Sequence, residues 1–256
     1  MRTLIAFTKK EITHQLRSGR LLMLGILFFL FGVMNPAVAK LTPWLLEMMA
    51  DSLAESGMSV TEVTVSAMDS WVQFFKNLPM ALIAFVLLES NIFTGEYASG
   101  TLVLSLTKGL ERYKIVISKT VVLSVLWTAG YWLCFGVTYG YNAYYWDNSV
   151  AQSLMLSVAC WWLFGMLTVA LTVLFSTLGK TGTAVLMGTG GVILGCYLLS
   201  LVPKISKYLP TYLTGGTSLI YGSAEPREFI ASIIISAVAC VACFTVSIFA
   251  FNKKQL

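Results

Sequence analysis

Apolar residues dominate six long stretches of this chain, and short polar segments separate one stretch from the next. Each stretch has about 19 to 25 residues, enough to cross roughly 30 Å of hydrocarbon as a helix. Transmembrane β-strands are much shorter, so the pattern predicts an all-α membrane protein with one six-span domain over residues 1–256. The predicted spans are 21–39, 71–93, 115–137, 151–175, 183–202 and 229–251.

The composition also indicates that most of the chain lies within the lipid bilayer. Of its 256 residues, 57% are apolar and 11% are charged, and the mean hydropathy is +0.79, outside the range of ordinary soluble domains. All five cysteines lie within apolar stretches, where we expect them to be small packing residues. Cys240 and Cys243 have C-x-x-C spacing, but no second pair and no histidine lie nearby, so no metal site is predicted.

The distribution of basic residues predicts the orientation in the membrane. If both termini are cytosolic, twelve of the seventeen basic residues lie on the cytosolic side, as the positive-inside rule requires. They are Arg2, Lys9, Lys10, Arg17, Arg20, Lys108, Arg112, Lys114, Lys119, Lys180, Lys253 and Lys254. The net charge of +5 therefore fits anionic lipid headgroups rather than nucleic acid.

The end of the first apolar stretch allows two interpretations. Asn35 and Pro36 together predict an ordinary helix end. The Ala-Val-Ala sequence at 37–39 resembles a signal-peptidase site, and cleavage there would leave five spans. The polar region before the stretch, about 20 residues, is long for a signal peptide, which favours an uncleaved first span.

The polar segments carry patterns of their own. Residues 1–20 predict a cytosolic interfacial helix with Ile5, Ile12 and Leu16 on one face, turning into the membrane at residues 18–19. The other side of this helix carries four basic residues, Lys9, Lys10, Arg17 and Arg20. Residues 41–70 predict an external helical hairpin. Residues 203–228 carry an apolar tract that is too short to span and too apolar for a free loop, which predicts an external or re-entrant segment.

Motifs for chemistry are weak throughout the sequence. The Gly-Lys-Thr at 179–181 resembles the end of a P-loop but lacks the glycine five residues earlier, so ATP binding by this chain is not predicted. His14 is the single histidine and lies on the predicted interfacial helix, which argues against a Ser-His-Asp triad and against a histidine-based metal site within one chain. Glu89 is the one acidic residue within a span, near enough to its end to reach water, Arg112 or Lys119.

Four tryptophans are expected at mid-depth in the membrane. They could line a path for an amphipathic cargo, or face lipid and neighbouring helices. They are Trp127, Trp132, Trp161 and Trp162. The many intramembrane charges and matched broken helices typical of ion-coupled carriers are not evident, so transport of that kind is the second hypothesis.

The longest predicted cytosolic loop is 94–114. A glycine-containing turn, an apolar stretch at 102–106 and a basic cluster follow one another there. This order predicts a short amphipathic helix that presents Leu102, Leu104 and Leu106 to a partner or to the membrane surface. A simple interfacial helix that serves only topology remains the alternative.

In span number, basic N-terminal helix and this loop, the chain resembles the membrane subunits of ABC-2 type exporters, most closely Gram-positive exporters of peptides and toxins such as phenol-soluble modulins. The resemblance implies a loop that couples the permease to a separate ATPase subunit, which would hold the ATP and Mg²⁺. The residues it implies for coupling are Glu96, Gly100, Thr101, Leu102, Leu104, Leu106, Arg112 and Lys119. It also implies pairing with a second copy or a related permease, in a bacterial cell membrane. An autonomous carrier or channel and a non-transport scaffold remain the alternatives.

Overall fold

The computed structural model describes residues 2–49, 64–107 and 109–254. These ranges form helices and no strand. The helices are α1 Arg2–Arg17, α2 Arg20–Met48, α3 Ala67–Glu89, α4 Thr94–Ala98, α5 Thr101–Thr107, α6 Arg112–Tyr145, α7 Leu154–Leu178, α8 Gly182–Ser200, α9 Pro203–Ser206, α10 Gly216–Ile220 and α11 Ile230–Lys253, with 3₁₀ turns at Asn148–Val150, Pro210–Thr214 and Pro226–Phe229.

Six of these helices, α2, α3, α6, α7, α8 and α11, are long and apolar enough to cross a membrane. The predicted all-α, six-span fold is confirmed, since each predicted span overlaps one of them. The predicted helix end at Asn35 and Pro36 was wrong, because α2 continues through both Pro36 and Pro43. Proline is tolerated in a membrane helix where neighbouring helices meet its polar groups. Of the predicted hairpin at 41–70, residues 50–63 lie outside the described ranges.

Hydrogen bonds inside the bundle explain why the chain stays helical past Asn35. Asn35 donates to the Thr138 hydroxyl at 3.1 Å and accepts from the Asn77 amide at 2.8 Å. Thr138 in turn donates to the Gly32 carbonyl at 3.0 Å. Polar side chains of this kind hold helices together in lipid, so α2, α3 and α6 are joined at one level.

The centre of the bundle is α7, which packs against α6, α8 and α11. Two thirds of its most apolar stretch is buried, compared with 11% for α8, which lies at the periphery. The indole of Trp127 on α6 lies directly against Gly165 of α7, where a Cβ atom would be 2.0 Å from the ring. Only glycine therefore allows this contact between α6 and α7.

The segment between α8 and α11 folds back against the bundle. The Trp161 indole N–H donates to the Thr214 carbonyl at 3.0 Å. Because Trp161 is seven residues into α7, this contact lies about 10 Å along that helix from its first residue. Leu213 is fully buried beside it, so this segment packs between the ends of the spans.

Candidate functional site

The loop that follows α3 is compact and consists of two short helices. α4 and α5 are separated at Gly100 (φ +68°), and α5 is separated from α6 at Gly109 (φ +83°). Residues with a side chain rarely adopt this left-handed conformation, so the two glycines allow the loop to reverse direction twice. The loop thereby returns to the end of the bundle that carries α1.

A buried ionic cluster fixes this loop to two helices. Lys119 of α6 lies 2.8 Å from a Glu11 carboxylate oxygen on α1 and 3.0 Å from a Glu96 oxygen on α4. The Lys119 side chain is 1% exposed and that of Glu11 is 4% exposed. Its ammonium also donates to the Ile92 carbonyl at 2.9 Å. The buried ammonium of Lys119 thus has two hydrogen-bond acceptors and a second carboxylate within ion-pair distance, which offset the cost of burying its charge.

Lys10 closes the cluster from the surface. It lies 2.9 Å from Glu11 and 2.6 Å from Glu96, with 45% of its side chain exposed. Partial burial lowers the pKa of Lys10, but hydrogen bonds to Glu96 and Glu11 outweigh that effect and the pKa is raised. Two cations and two carboxylates therefore alternate in space and neutralise one another.

α1 presents different faces to the bundle and away from it. Phe7, Glu11 and Gln15, spaced four residues apart, are buried. Ile5 and Leu16 are 67% and 56% exposed, which leaves the predicted apolar stripe uncovered, as a helix in a lipid interface requires. Lys9, Lys10 and Arg17 of α1 are exposed too.

Glu89 forms none of the ion pairs considered from the sequence. It is fully buried, and its carboxylate accepts a hydrogen bond from Gln15 of α1 at 2.8 Å. Lys119 binds Glu11 and Glu96 instead, and Arg112 binds carbonyl groups at the end of α11. Glu89 therefore adds a second contact between α1 and the end of α3.

Arg112 and Lys254 bind helix ends. Arg112 donates to the Phe251 carbonyl at 3.3 Å and to the carbonyl of Lys254, which satisfies the free carbonyls at the end of α11. The Lys254 ammonium donates to the Thr177 and Gly179 carbonyls at 2.8 and 2.7 Å, at the end of α7.

Tyr97 joins the loop to the same helix ends. Its hydroxyl donates to the Ser176 carbonyl at 3.3 Å, and its ring lies 4.3 Å from the Lys254 ammonium. The loop is therefore connected to α7 and α11 as well as to α1 and α6.

The loop leucines differ from the prediction. Leu102 is 1% exposed and part of the hydrophobic core, and Leu106 is half-buried against that core. The side chain of Leu104 lies outside the described residues. The prediction that α5 presents Leu102 to a partner or to the membrane surface is therefore not met, because Leu102 packs against the bundle of its own chain.

Among the loop residues whose side chains the structure describes, a continuous exposed stretch lies at the junction of α4 and α5. Ala98, Ser99, Gly100 and Thr101, at the junction of α4 and α5, are exposed, as is Tyr113 at the start of α6. A polar cavity of about 320 Å³ lies between this junction and α1, lined in part by His14, Arg20 and the ionic cluster. Gly100 and Thr101 of the predicted coupling set thus lie at the surface.

Three of the four tryptophans bind other parts of the bundle through their indole N–H groups. The Trp127 indole donates to the Trp162 carbonyl at 3.1 Å, and the Trp162 indole donates to the Thr128 hydroxyl at 3.1 Å. Trp161 is bound to Thr214 as described above. Trp132 is 40% exposed. The first three therefore satisfy their polar groups through contacts between helices.

Sequence reasoning missed Glu11, Gln15 and Lys254. The sequence did contain a signal for Glu11. This residue lies four residues after the apolar Phe7 and therefore on the same helix face, which differs from the basic face. For Lys254 no sequence signal exists, since its partners are backbone carbonyls more than 70 residues away.

These features define a multi-pass helical membrane protein. It has six apolar helices, an interfacial helix, and a small loop that buried ion pairs hold against the interfacial helix. Residues 5–256 match the family model described as "ABC-2 family transporter protein", and the chain belongs to that family. It is therefore a permease subunit of an ABC exporter. It is also similar to the uncharacterized transmembrane protein YxlG of Bacillus subtilis (strain 168), with 22% identity over 260 residues that cover 100% of this chain and 99% of that protein.

Proposed function

We propose that this permease is driven by a separate cytosolic ABC ATPase, which binds the junction of α4 and α5. Two copies, or one copy and a related permease, enclose a path for an amphipathic or hydrophobic cargo across a bacterial cytoplasmic membrane. ATP and Mg²⁺ are bound by the ATPase alone. Both termini face the cytosol, in accordance with the excess of basic residues on that side.

The observation that carries this proposal is the number of helices to which the loop is connected. Glu96 binds Lys119 of α6, which also binds α1. Tyr97 contacts the end of α7 and packs near Phe251 of α11. A displacement of a loop held this way acts on four helices together, which is what coupling by rigid-body movement requires.

The place of contact follows from exposure. Leu102 is buried against its own chain. The surfaces that a partner can contact are therefore the exposed residues 98–101 and the polar cavity beside α1. Arg112 and Lys119 act behind this surface, by holding the loop against the ends of α11 and α6. Lys9 and Arg17, exposed on α1, keep this helix at an anionic membrane surface, whereas Lys10 and Arg20 face the ionic cluster and the polar cavity.

The cargo class rests on the resemblance to Gram-positive peptide and toxin exporters and on the apolar character of the bundle. An amphipathic peptide, such as a peptide toxin or an antimicrobial peptide, matches an apolar wall with an aromatic surface such as Trp132, which is 40% exposed. ATP-dependent closure of the partner subunits would open the dimeric path alternately to the two sides.

The test uses the chain purified together with its ATPase. Ala98→Glu adds a charge at the exposed junction without touching the buried cluster, and Tyr144→Glu adds the same charge at the opposite end, where the native side chain is 81% exposed. We expect the wild type and Tyr144→Glu to bind the ATPase and change its hydrolysis rate, and Ala98→Glu to do neither. If no ATPase associates with the wild type, the proposal fails and an autonomous carrier becomes the better explanation.

A further inference from the structure

A cleft of about 340 Å³ lies between α3 and α8, with α7 as its floor. It exists because α8 packs mainly against α7 and the segment that follows α8, and leaves its side towards α3 open. Trp161, Phe164 and Thr168 form the floor and are at most 3% exposed. The cleft is therefore a recess in the bundle and not a shallow depression of its surface.

The mouth of the cleft faces the hydrocarbon. Its rim contains Ile83, Leu87 and Leu194, which are 59%, 54% and 60% exposed. All three lie on helices long and apolar enough to cross the membrane, Ile83 and Leu194 within α3 and α8 and Leu87 two residues before the end of α3. A molecule that enters the cleft therefore comes laterally from the bilayer, and must first dissolve there.

The dimensions fit a narrow, elongated molecule. The wall on α8 extends from Leu186 to Tyr197, eleven residues or about 16 Å of helix. The volume is roughly twice that of a 150 Å³ apolar cavity that accepts benzene. An elongated apolar molecule of single-chain width would fill this space, whereas a folded polypeptide segment would not fit inside it.

One polar group in the wall lacks a partner. The Thr189 hydroxyl is buried, with 1% of the residue exposed, and has no hydrogen-bond partner among the residues that the structure describes. Thr168, across the same cleft, donates to the Phe164 carbonyl one turn earlier at 3.1 Å, as threonines in helices commonly do. An unpaired hydroxyl in lipid is costly, so Thr189 points to a ligand that carries a hydrogen-bonding group.

We propose that this cleft binds one elongated apolar molecule with a single hydrogen-bonding group, which enters from the bilayer and bonds to the Thr189 hydroxyl. The acyl chain of an ordinary lipid would fill the space but leave Thr189 unpaired. A helix of a second copy would cover the mouth without occupying the floor. The proposal does not depend on coupling to an ATPase.

Gly190 provides a means to fill the cleft. It lines the cleft, and a Cβ atom built on it would have open space around it. Its neighbour Gly191 also has open space around it, is exposed, and does not line the cleft. Gly190→Leu and Gly191→Leu therefore make the same change to the helix, but only the first places a side chain in the cleft.

The experiment uses the full chain in lipid nanodiscs and three photoreactive probes. They are a long-chain alcohol with a diazirine group, the matching hydrocarbon without the hydroxyl, and a phosphatidylcholine with the same diazirine in one acyl chain. Cross-linked sites are located by mass spectrometry, and thermal unfolding verifies that each variant is folded. Cross-links between two copies are scored separately.

We expect the alcohol to label the floor and rim of the cleft in the wild type and in Gly191→Leu, and to lose that labelling in Gly190→Leu. Thr189→Val should reduce labelling by the alcohol roughly two- to tenfold, as for loss of one hydrogen bond, and leave the hydrocarbon unchanged. Equal labelling by alcohol and hydrocarbon, or preferential labelling by phosphatidylcholine, would overturn the proposal. So would cross-links between copies at the cleft, or labelling that Gly190→Leu does not change.

Discussion

Replacing Lys119 by methionine tests the ionic cluster most directly. Methionine keeps most of the length and apolar stem of lysine but removes the charge and the three donors. The change leaves Glu11 without its buried partner, because Lys10 at the surface is then the one cation within 4 Å of Glu11 among the residues that the structure describes. It also removes the 3.0 Å contact that holds Glu96 of the loop against α6.

The magnitude follows from burial. Removing one member of a buried ion pair costs about 3 to 5 kcal/mol of folding free energy, since the other charge remains desolvated. Lys10→Met is the matched control, because Lys10 contacts the same two carboxylates at 2.9 and 2.6 Å but is 45% exposed. Water replaces the lost contacts of an exposed cation, so this control should cost about 1 kcal/mol or less.

Unfolding by sodium dodecyl sulfate in mixed micelles provides the assay. A thiol-reactive dye reports unfolding, because Cys134 and Cys160 are buried in the folded chain. Combining Lys119→Met with Glu11→Gln should cost less than the sum of the single changes, by about 0.5 to 3 kcal/mol. Equal costs for Lys119→Met and Lys10→Met, or strictly additive effects in the double variant, would refute the reasoning.

Three further predictions concern packing, helix ends and orientation. Gly165→Leu should destabilise the bundle by about 1 to 3 kcal/mol through collision with the Trp127 indole, and an unchanged unfolding midpoint would contradict the close contact. Lys254→Met removes two charge-assisted hydrogen bonds and should cost about 1.5 to 3 kcal/mol, measured in the same way; retention of full stability would show that these caps are dispensable. In a cysteine-free background, an impermeant maleimide should label Tyr144→Cys on intact cells, and Ser99→Cys only after permeabilisation. The reverse result would invert the proposed orientation.

The sequence predicts the spans well because lipid imposes a simple requirement, about 20 apolar residues per helix. It predicts helix ends less well, as Pro36 illustrates. A proline ends a helix in water because a backbone carbonyl loses its partner, but inside a bundle neighbouring helices can supply one. Whether they do depends on the approach of α3 and α6, which no local pattern contains.

The loop between α3 and α6 shows the same limit of sequence-based prediction for the candidate site. Leu102 and Leu106, four residues apart, share one side of α5, but burial of that side against a partner and burial against the same chain produce the same pattern. Leu102 belongs to the second case. Glu96 and Lys119 were selected through the family resemblance, whereas Glu11, the residue between them in space, required the tertiary arrangement.

The sequence separation between the partners of the ionic cluster also has a consequence for folding during synthesis. Glu11 and Lys119 are 108 residues apart, which at about 5 to 20 residues per second separates their synthesis by roughly 5 to 20 seconds. During that interval α1 has no cation to bind in the bundle. The exposed apolar stripe of α1, formed by Ile5, Ile12 and Leu16, allows this helix to bind the membrane surface in the meantime. The helix is then already folded and close by when α6 is synthesised.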